Sequence, residues 1–430
     1  LSPDQAAGAA IPASDPATAP VEPRAVEPPH IVRHRGWFVV AGAFLVMMVG
    51  YGAIYSYSAF AEEIAAAFGV ERASVSVVFA LSGSSCFFVS AVSGPLADRV
   101  GARVLAASGM VLVGIGLMVA AAATSLFEVY LGYGLLIGIG TGFAYVPAIA
   151  SVQRWFDAHR GLASGIAVSG VGIGTALVAP AVDALEAVGD WRVAFILCGV
   201  AAVLVGLAGA MLLSPSPGRL ALEAEPGRSP RREPIGRSLA VLRSRAFGFA
   251  YLGTLLVSVA VTLPYALLVE TARGLGIARH DAVALLTVIG LGSIAGRFLI
   301  AALADRVGRR GTFLACSAGL AASMLLWATA DGLTTLRAFA VVFGALHGGF
   351  IALLPAFIAD TFGARSVGGV LGMLYTSRGI ALLAGPPALA FGIGATAGHL
   401  IPVLGVVAVA AVGAAALAAV RPPDQGRAGE

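Results

Sequence analysis

Three ionisable side chains lie near the middle of long apolar segments: Arg297 in GRFLIAALADR, Arg378 in YTSRGIALL and His347 in LHGGF. No acid lies at that depth. All 23 acidic residues fall in tails, loops or the terminal turns of the apolar segments. An arginine at mid-bilayer costs roughly 2.5–3.5 kcal/mol on insertion scales, so two of them need a compensating group. Backbone carbonyls or water are one answer. An anion taken from outside is the other, because the guanidinium fork matches a carboxylate in bidentate fashion. Arg297 stands eight residues before Asp305, about 12 Å along a helix, and Arg378 is a similar rise into its own segment, so both can share one depth. His347 is either a hydrogen-bonded packing residue or a group that contacts a ligand or relays a proton. Tyr51, Tyr55 and Ser58 share one helix face, Tyr145 and Tyr265 lie in two further segments, and Tyr375 is one turn from Arg378. Tyrosines in such places pack, anchor at an interface or line a pocket; Tyr55, Tyr145 and Tyr375 are the pocket candidates.

These residues need elements that cross a bilayer. Of 430 residues 58% are hydrophobic and only 12% charged, with a mean hydropathy of +0.91. Soluble domains carry about 25% charge, so a water-soluble enzyme is excluded, and the dyad alternation of a transmembrane β-barrel is absent. The apolar runs approach the ~20 residues that span a bilayer as a helix. Twelve are expected: 37–60, 74–97, 102–124, 128–151, 162–182, 191–213, 247–269, 282–304, 312–331, 336–359, 367–391 and 400–420. The fold class is therefore all-α membrane protein, with bundles at 36–213 and 246–420. A polar, proline-containing linker at 214–245 joins them, and tails occupy 1–35 and 421–430. The N-terminal tail, rich in Pro and Ala, is expected to be disordered and not a signal peptide.

Every basic residue is arginine, 27 in all, with no lysine. With both termini and the linker in the cytoplasm, 20 arginines fall on that side and five on the other, the bias that sets membrane topology. The Ala- and Gly-rich, lysine-free composition suggests a GC-rich bacterial genome and hence an inner (plasma) membrane. Cys86, Cys198 and Cys316 each lie in an apolar run without CxxC spacing, as packing residues rather than disulfides or metal ligands. No metal, cofactor or nucleic-acid site is expected, nor any nucleophile–base pair of an enzyme.

The chain repeats itself. GPLADRVGARVL (94–105) and AALADRVGRRGT (301–312) place Asp98 and Asp305 207 positions apart; Pro147 and Pro355 differ by 208, Pro180 and Pro387 by 207. Two six-helix halves of similar structure are implied, the construction of alternating-access carriers with a midplane site. At this offset Arg297 corresponds to Ser90 and Arg378 to Gly170 or Val171, so the first half lacks matching charges. Glycines at helical spacing (134, 138, 142; 161, 165; 170, 174) allow close helix approach, at a moving interface between halves or in static packing.

The G-x-L-A-D-R-x-G-x-R loop resembles the signature loop of the major facilitator superfamily. That resemblance implies a latch role for Asp98, Arg99, Asp305 and Arg306; the second copy has Ala301 in place of the usual Gly, which implies looser packing there. YGAIYSYSAF (51–60), 140–170, GRFLIAALADR (296–306) and 353–387 resemble the monocarboxylate transporter group and its bacterial relatives, the oxalate/formate-type antiporters. The resemblance implies substrate binding by Arg297, a second basic residue at Arg378 where the bacterial branch usually has Lys, and Ser293 where animal carriers place an aspartate. The expected function is secondary transport of small carboxylates such as lactate, pyruvate, formate or oxalate. It would proceed by anion exchange or proton symport, in a chain functional as a monomer. The alternatives are a facilitator exporting other small organic compounds and a non-transporting carboxylate receptor.

Overall fold

The computed structural model describes residues 29–156, 159–186, 190–215, 241–364, 367–396 and 400–421. The central part of the expected linker and both chain ends lie outside these residues. Twelve helices are long and apolar enough to cross a membrane. In the first half they are α1 Pro29–Phe68, α2 Arg72–Val100, α3 Ala102–Ala122, α4 Leu126–Trp155, α5 Arg160–Glu186 and α6 Trp191–Leu212. In the second half they are α7 Arg245–Gly274, α8 Arg279–Val307, α9 Arg309–Ala328, α10 Leu333–Phe362, α11 Val367–Thr396 and α12 Leu400–Ala418. α4 contains a π-helical stretch, Tyr130–Ile137, before Pro147. α1 is already helical at Pro29, within the segment expected as an irregular tail.

The repeat extends to the backbone. α2 and α8 match end for end at an offset of 207, as do the starts of α3 and α9, of α5 and α11, and the ends of α4 and α10. Each sharp turn between the second and third helix of a half is made by a glycine with positive φ, Gly101 (99°) and Gly308 (124°), a conformation that costs glycine no Cβ clash. Just past these turns, Arg103 donates to the Leu213 carbonyl at 2.9 Å and Arg310 to the Val420 carbonyl at 2.6 Å. Both satisfy carbonyls left without an intrahelical partner at a helix C-terminus, again at an offset of 207.

The halves meet through α2 against α11 and α5 against α8. Glycines permit it. A Cβ at Gly165 would stand 2.1 Å from the Arg297 carbonyl oxygen, and one at Gly372 would stand 2.1 Å from the Ser90 carbonyl oxygen. These are the same contact in the two halves. Gly94 likewise faces the Gly368 carbonyl at 2.0 Å. Where Gly94 recurs as Ala301, the interface is not loose. Ala301 is fully buried, and the room comes from Gly161 and Gly165 across the boundary. The other glycines divide. Gly138 and Gly142 pack on α2, and Gly170 and Gly174 on α1, inside the first bundle; Gly161 and Gly165 lie between bundles. Only the latter sit at the interface that a rocking motion would use.

Candidate functional site

α8 brings Arg297 to the centre of the molecule, 5% exposed. Its Nη1 donates to the Val168 carbonyl of α5 at 3.2 Å, and a Cβ at Gly172 would stand 2.9 Å from the same nitrogen. One backbone carbonyl thus answers part of the charge. The Nε has no hydrogen-bond partner among the described residues. α11 brings in Arg378, half-buried, with its guanidinium 5.2 Å from the Phe87 ring centroid and 5.6 Å from that of Tyr375. Stacking on ring faces is worth about 0.5–2 kcal/mol and leaves the edge donors of the guanidinium open. Neither arginine forms an ion pair among the described residues.

Tyrosines surround the pair. Tyr145 of α4 and Tyr375 of α11 join hydroxyls at 3.3 Å with ring centroids 5.3 Å apart. Tyr51 packs edge-on against Tyr145 at 5.3 Å and lies 6.5 Å from Tyr55. Tyr55, Tyr145 and Tyr265 all lie within electrostatic range of Arg297, as does Arg378. His347 of α10 is buried and sits in the same field; its Nδ1 is 3.0 Å from the Tyr265 hydroxyl. The residues nominated for binding, Arg297, Arg378, His347, Tyr55, Tyr145 and Tyr375, are thus brought to one place from five helices. Tyr265 joins them with a defined partner. Phe87, which stacks under Arg378, has no signal in the sequence, since an aromatic on a membrane helix is ordinarily packing. The side chain of Ser58 is outside the described set.

At the end of the bundles bearing Asp98 and Asp305, each signature aspartate reaches the start of a helix of the opposite half, with different partners. Asp305 accepts the backbone N–H groups of Gly161 at 3.0 Å and Leu162 at 2.8 Å, at the N-terminus of α5 in the opposite half. A carboxylate there satisfies unpaired amides and meets the positive end of the helix dipole. Asp98 lies beside Gly368, the repeat equivalent of Gly161, near the start of α11; it pairs with Arg154. Arg99 and Arg306 are exposed and make no ion pair among the described residues. The guanidinium partners are instead Arg154, Arg160 and Arg309. Arg160 binds Asp360 across the halves at 2.5 Å, and Arg309 binds Asp360 at 2.6 Å and Asp305 at 3.3 Å. Asp360 and Arg309 were legible only as charges in terminal turns on one membrane side; their convergence needs the helix packing.

Comparisons with known proteins identify the family and the fold. The Major Facilitator Superfamily model matches residues 40–265 and 250–430. Human monocarboxylate transporter 11 is 29% identical over 367 residues, covering 83% of this chain and 76% of the relative. Rat monocarboxylate transporter 3 is 28% identical over 358 residues, 82% and 73%. Among solved structures, the E. coli fucose:proton symporter FucP superposes with a TM-score of 0.68 at 17% identity, covering 88% of this chain and 97% of that one. The human organic anion transporter MFSD10 gives 0.64 at 18%, covering 91% and 100%. With twelve helices in two repeated bundles, a shared signature loop and a family match across nearly the whole membrane domain, the chain belongs to the major facilitator superfamily of transporters.

Proposed function

We propose that the protein carries small organic carboxylates by alternating access, with Arg297 and Arg378 as the anion-binding pair. The observation that carries this reading is the meeting of two mid-membrane guanidinium groups, inside a ring of tyrosines, with no carboxylate partner among the described residues. The similarity to proteins named monocarboxylate transporters supports it. The carboxylate pairs with the two forks; Tyr55, Tyr145, Tyr375 and His347 orient it. The candidates are monocarboxylates such as lactate, pyruvate or formate, and the dicarboxylate oxalate, which could offer one carboxylate to each fork.

Importing one anion against an inside-negative potential costs about 2.3 kcal/mol per 100 mV, so import needs an exchanged anion, a co-transported proton or a steep gradient. Two uncompensated cations in the empty carrier oppose its reorientation and favour exchange. In proteoliposomes loaded with unlabelled lactate, uptake of labelled lactate is expected to exceed uptake into empty vesicles severalfold. Equal uptake with alkalinisation outside would assign proton symport instead. The arginine bias supports cytoplasmic termini, with 1–35, 214–245 and 421–430 as cytoplasmic segments; the lysine-free, Ala- and Gly-rich composition is the ground for reading the membrane as a bacterial plasma membrane.

On this reading the end bearing Asp98 and Asp305 is the cytoplasmic gate, held by Asp305, Asp98 and their arginine partners. Asp305→Asn keeps the size but gives up the charge at the α5 N-terminus, an effect of about 0.5–2 kcal/mol. Spin labels at Val104 and Gly311, with the native cysteines replaced, are expected to report a larger share of long distances in this variant. An unchanged distance distribution would remove Asp305 from the latch.

A further inference from the structure

Three buried polar atoms on facing turns of α8 and α10 have no hydrogen-bond partner among the described residues: Ser293 Oγ, Arg297 Nε and His347 Nε2. Buried polar atoms are nearly always paired, so three orphans on adjoining turns call for one explanation. Ser293 and Arg297 are one turn apart on a single face of α8. α10 crosses α8 at that point so closely that a Cβ at Gly348 would stand 2.0 Å from the Ser293 carbonyl oxygen and 3.0 Å from the Arg297 amide nitrogen. His347 directly precedes this glycine. Its ring lies against Phe343 with centroids 5.6 Å apart and planes 19° from parallel. Its Nδ1 is occupied by the Tyr265 hydroxyl at 3.0 Å. The ring is therefore fixed at one nitrogen and along one face, and its other nitrogen is unengaged.

We infer that Ser293, His347 and Tyr265 form a second polar subsite beside Arg297. It recognises an oxygen on the carbon next to the substrate's carboxylate, as in 2-hydroxy and 2-oxo acids. The inference rests on the carboxylate reading of Arg297. With the Tyr265 phenol donating to Nδ1, the imidazole proton lies on Nε2, which is then a donor; with the opposite tautomer Nε2 is an acceptor, so the histidine can meet a hydroxyl in either form. The Ser293 hydroxyl donates or accepts. A carbonyl or hydroxyl next to the carboxylate meets these groups; an unsubstituted carbon offers only C–H and leaves them orphaned. Sites built around buried polar groups reject the analogue that lacks the matching oxygen, whereas a guanidinium pair alone treats every carboxylate alike.

The test is equilibrium binding of pyruvate, lactate and propionate to the purified full-length chain. The wild type is expected to bind pyruvate and lactate at least about tenfold more tightly than propionate, the scale of one buried hydrogen bond. His347→Phe keeps an aromatic ring against Phe343 and should bring the ratio to about one. Tyr265→Phe and Ser293→Ala, smaller changes that guard against a folding failure of the first, should each lower it. A wild-type ratio near one, or a ratio unchanged in all three variants, overturns the subsite while leaving the arginine pair standing. Binding of none of the acids overturns both.

Discussion

Arg297→Gln is expected to weaken carboxylate binding at least about a hundredfold and to abolish counterflow. Truncating one partner of a buried, hydrogen-bonded charge pair costs about 2–5 kcal/mol, and each 1.4 kcal/mol is about tenfold. Arg297 is the more deeply buried of the two arginines and has a single backbone partner, Val168. On the proposed reading, its remaining hydrogen-bonding capacity is what the anion uses. Arg297→Lys keeps the charge but loses the fork, and should recover only part of the affinity. Arg378→Gln should cost less, because this residue is half-buried, with its guanidinium beside the Phe87 and Tyr375 rings. The two losses should not add, since both groups hold the same anion. Calorimetric titration of the three variants with pyruvate checks the order; wild-type affinity in Arg297→Gln would remove that residue from the site.

Gly165→Leu is expected to stop transport while leaving the protein folded. A Cβ at this position would stand 2.1 Å from the Arg297 carbonyl oxygen. That oxygen is backbone and cannot swing aside as a flexible side chain does, so the halves must separate along α5 and α8. On the proposed alternating-access reading, this contact belongs to the state closed at the Asp305 end, so the cost falls on one conformation. Labels at Val104 and Gly311 should show the closed distance lost from the distribution, and counterflow should fall below a tenth of wild type. Gly170→Leu is a different lesion. A Cβ there would meet the Phe44 carbonyl oxygen at 2.3 Å inside the first bundle, so it should lower thermal stability. If Gly165→Leu retains the closed distance and transports normally, the α5–α8 contact is not a moving interface.

Much of this was legible before any coordinates. The number of spans followed from apolar runs, and the repeat from the spacing of Asp98 and Asp305. The midplane arginines stood out because so little else there is charged. Helix ends were less legible: α2 and α8 continue past their apolar cores to Gly101 and Gly308, since a helix does not stop where the bilayer does. The latch partners were less legible still. Signature-loop similarity nominated Arg99 and Arg306, yet sequence spacing cannot tell which guanidinium turns inward. Packing selects Arg154, Arg160 and Arg309, because those lie on faces that cross the boundary or meet Asp98, Asp305 and Asp360. Pairwise contacts such as Tyr265 with His347, or Arg378 over Phe87, join residues far apart in the chain and have no local signature.

On the proposed reading the two arginines recognise a negative carboxylate and not merely a small polar molecule. Binding of lactate and of its neutral isostere lactamide to the wild-type protein tests it most directly, because the two differ in the charged group alone. Lactate is expected to bind saturably and more weakly in Arg297→Gln, with no measurable binding of lactamide in either protein. Equal binding of acid and amide, indifferent to Arg297, would contradict it.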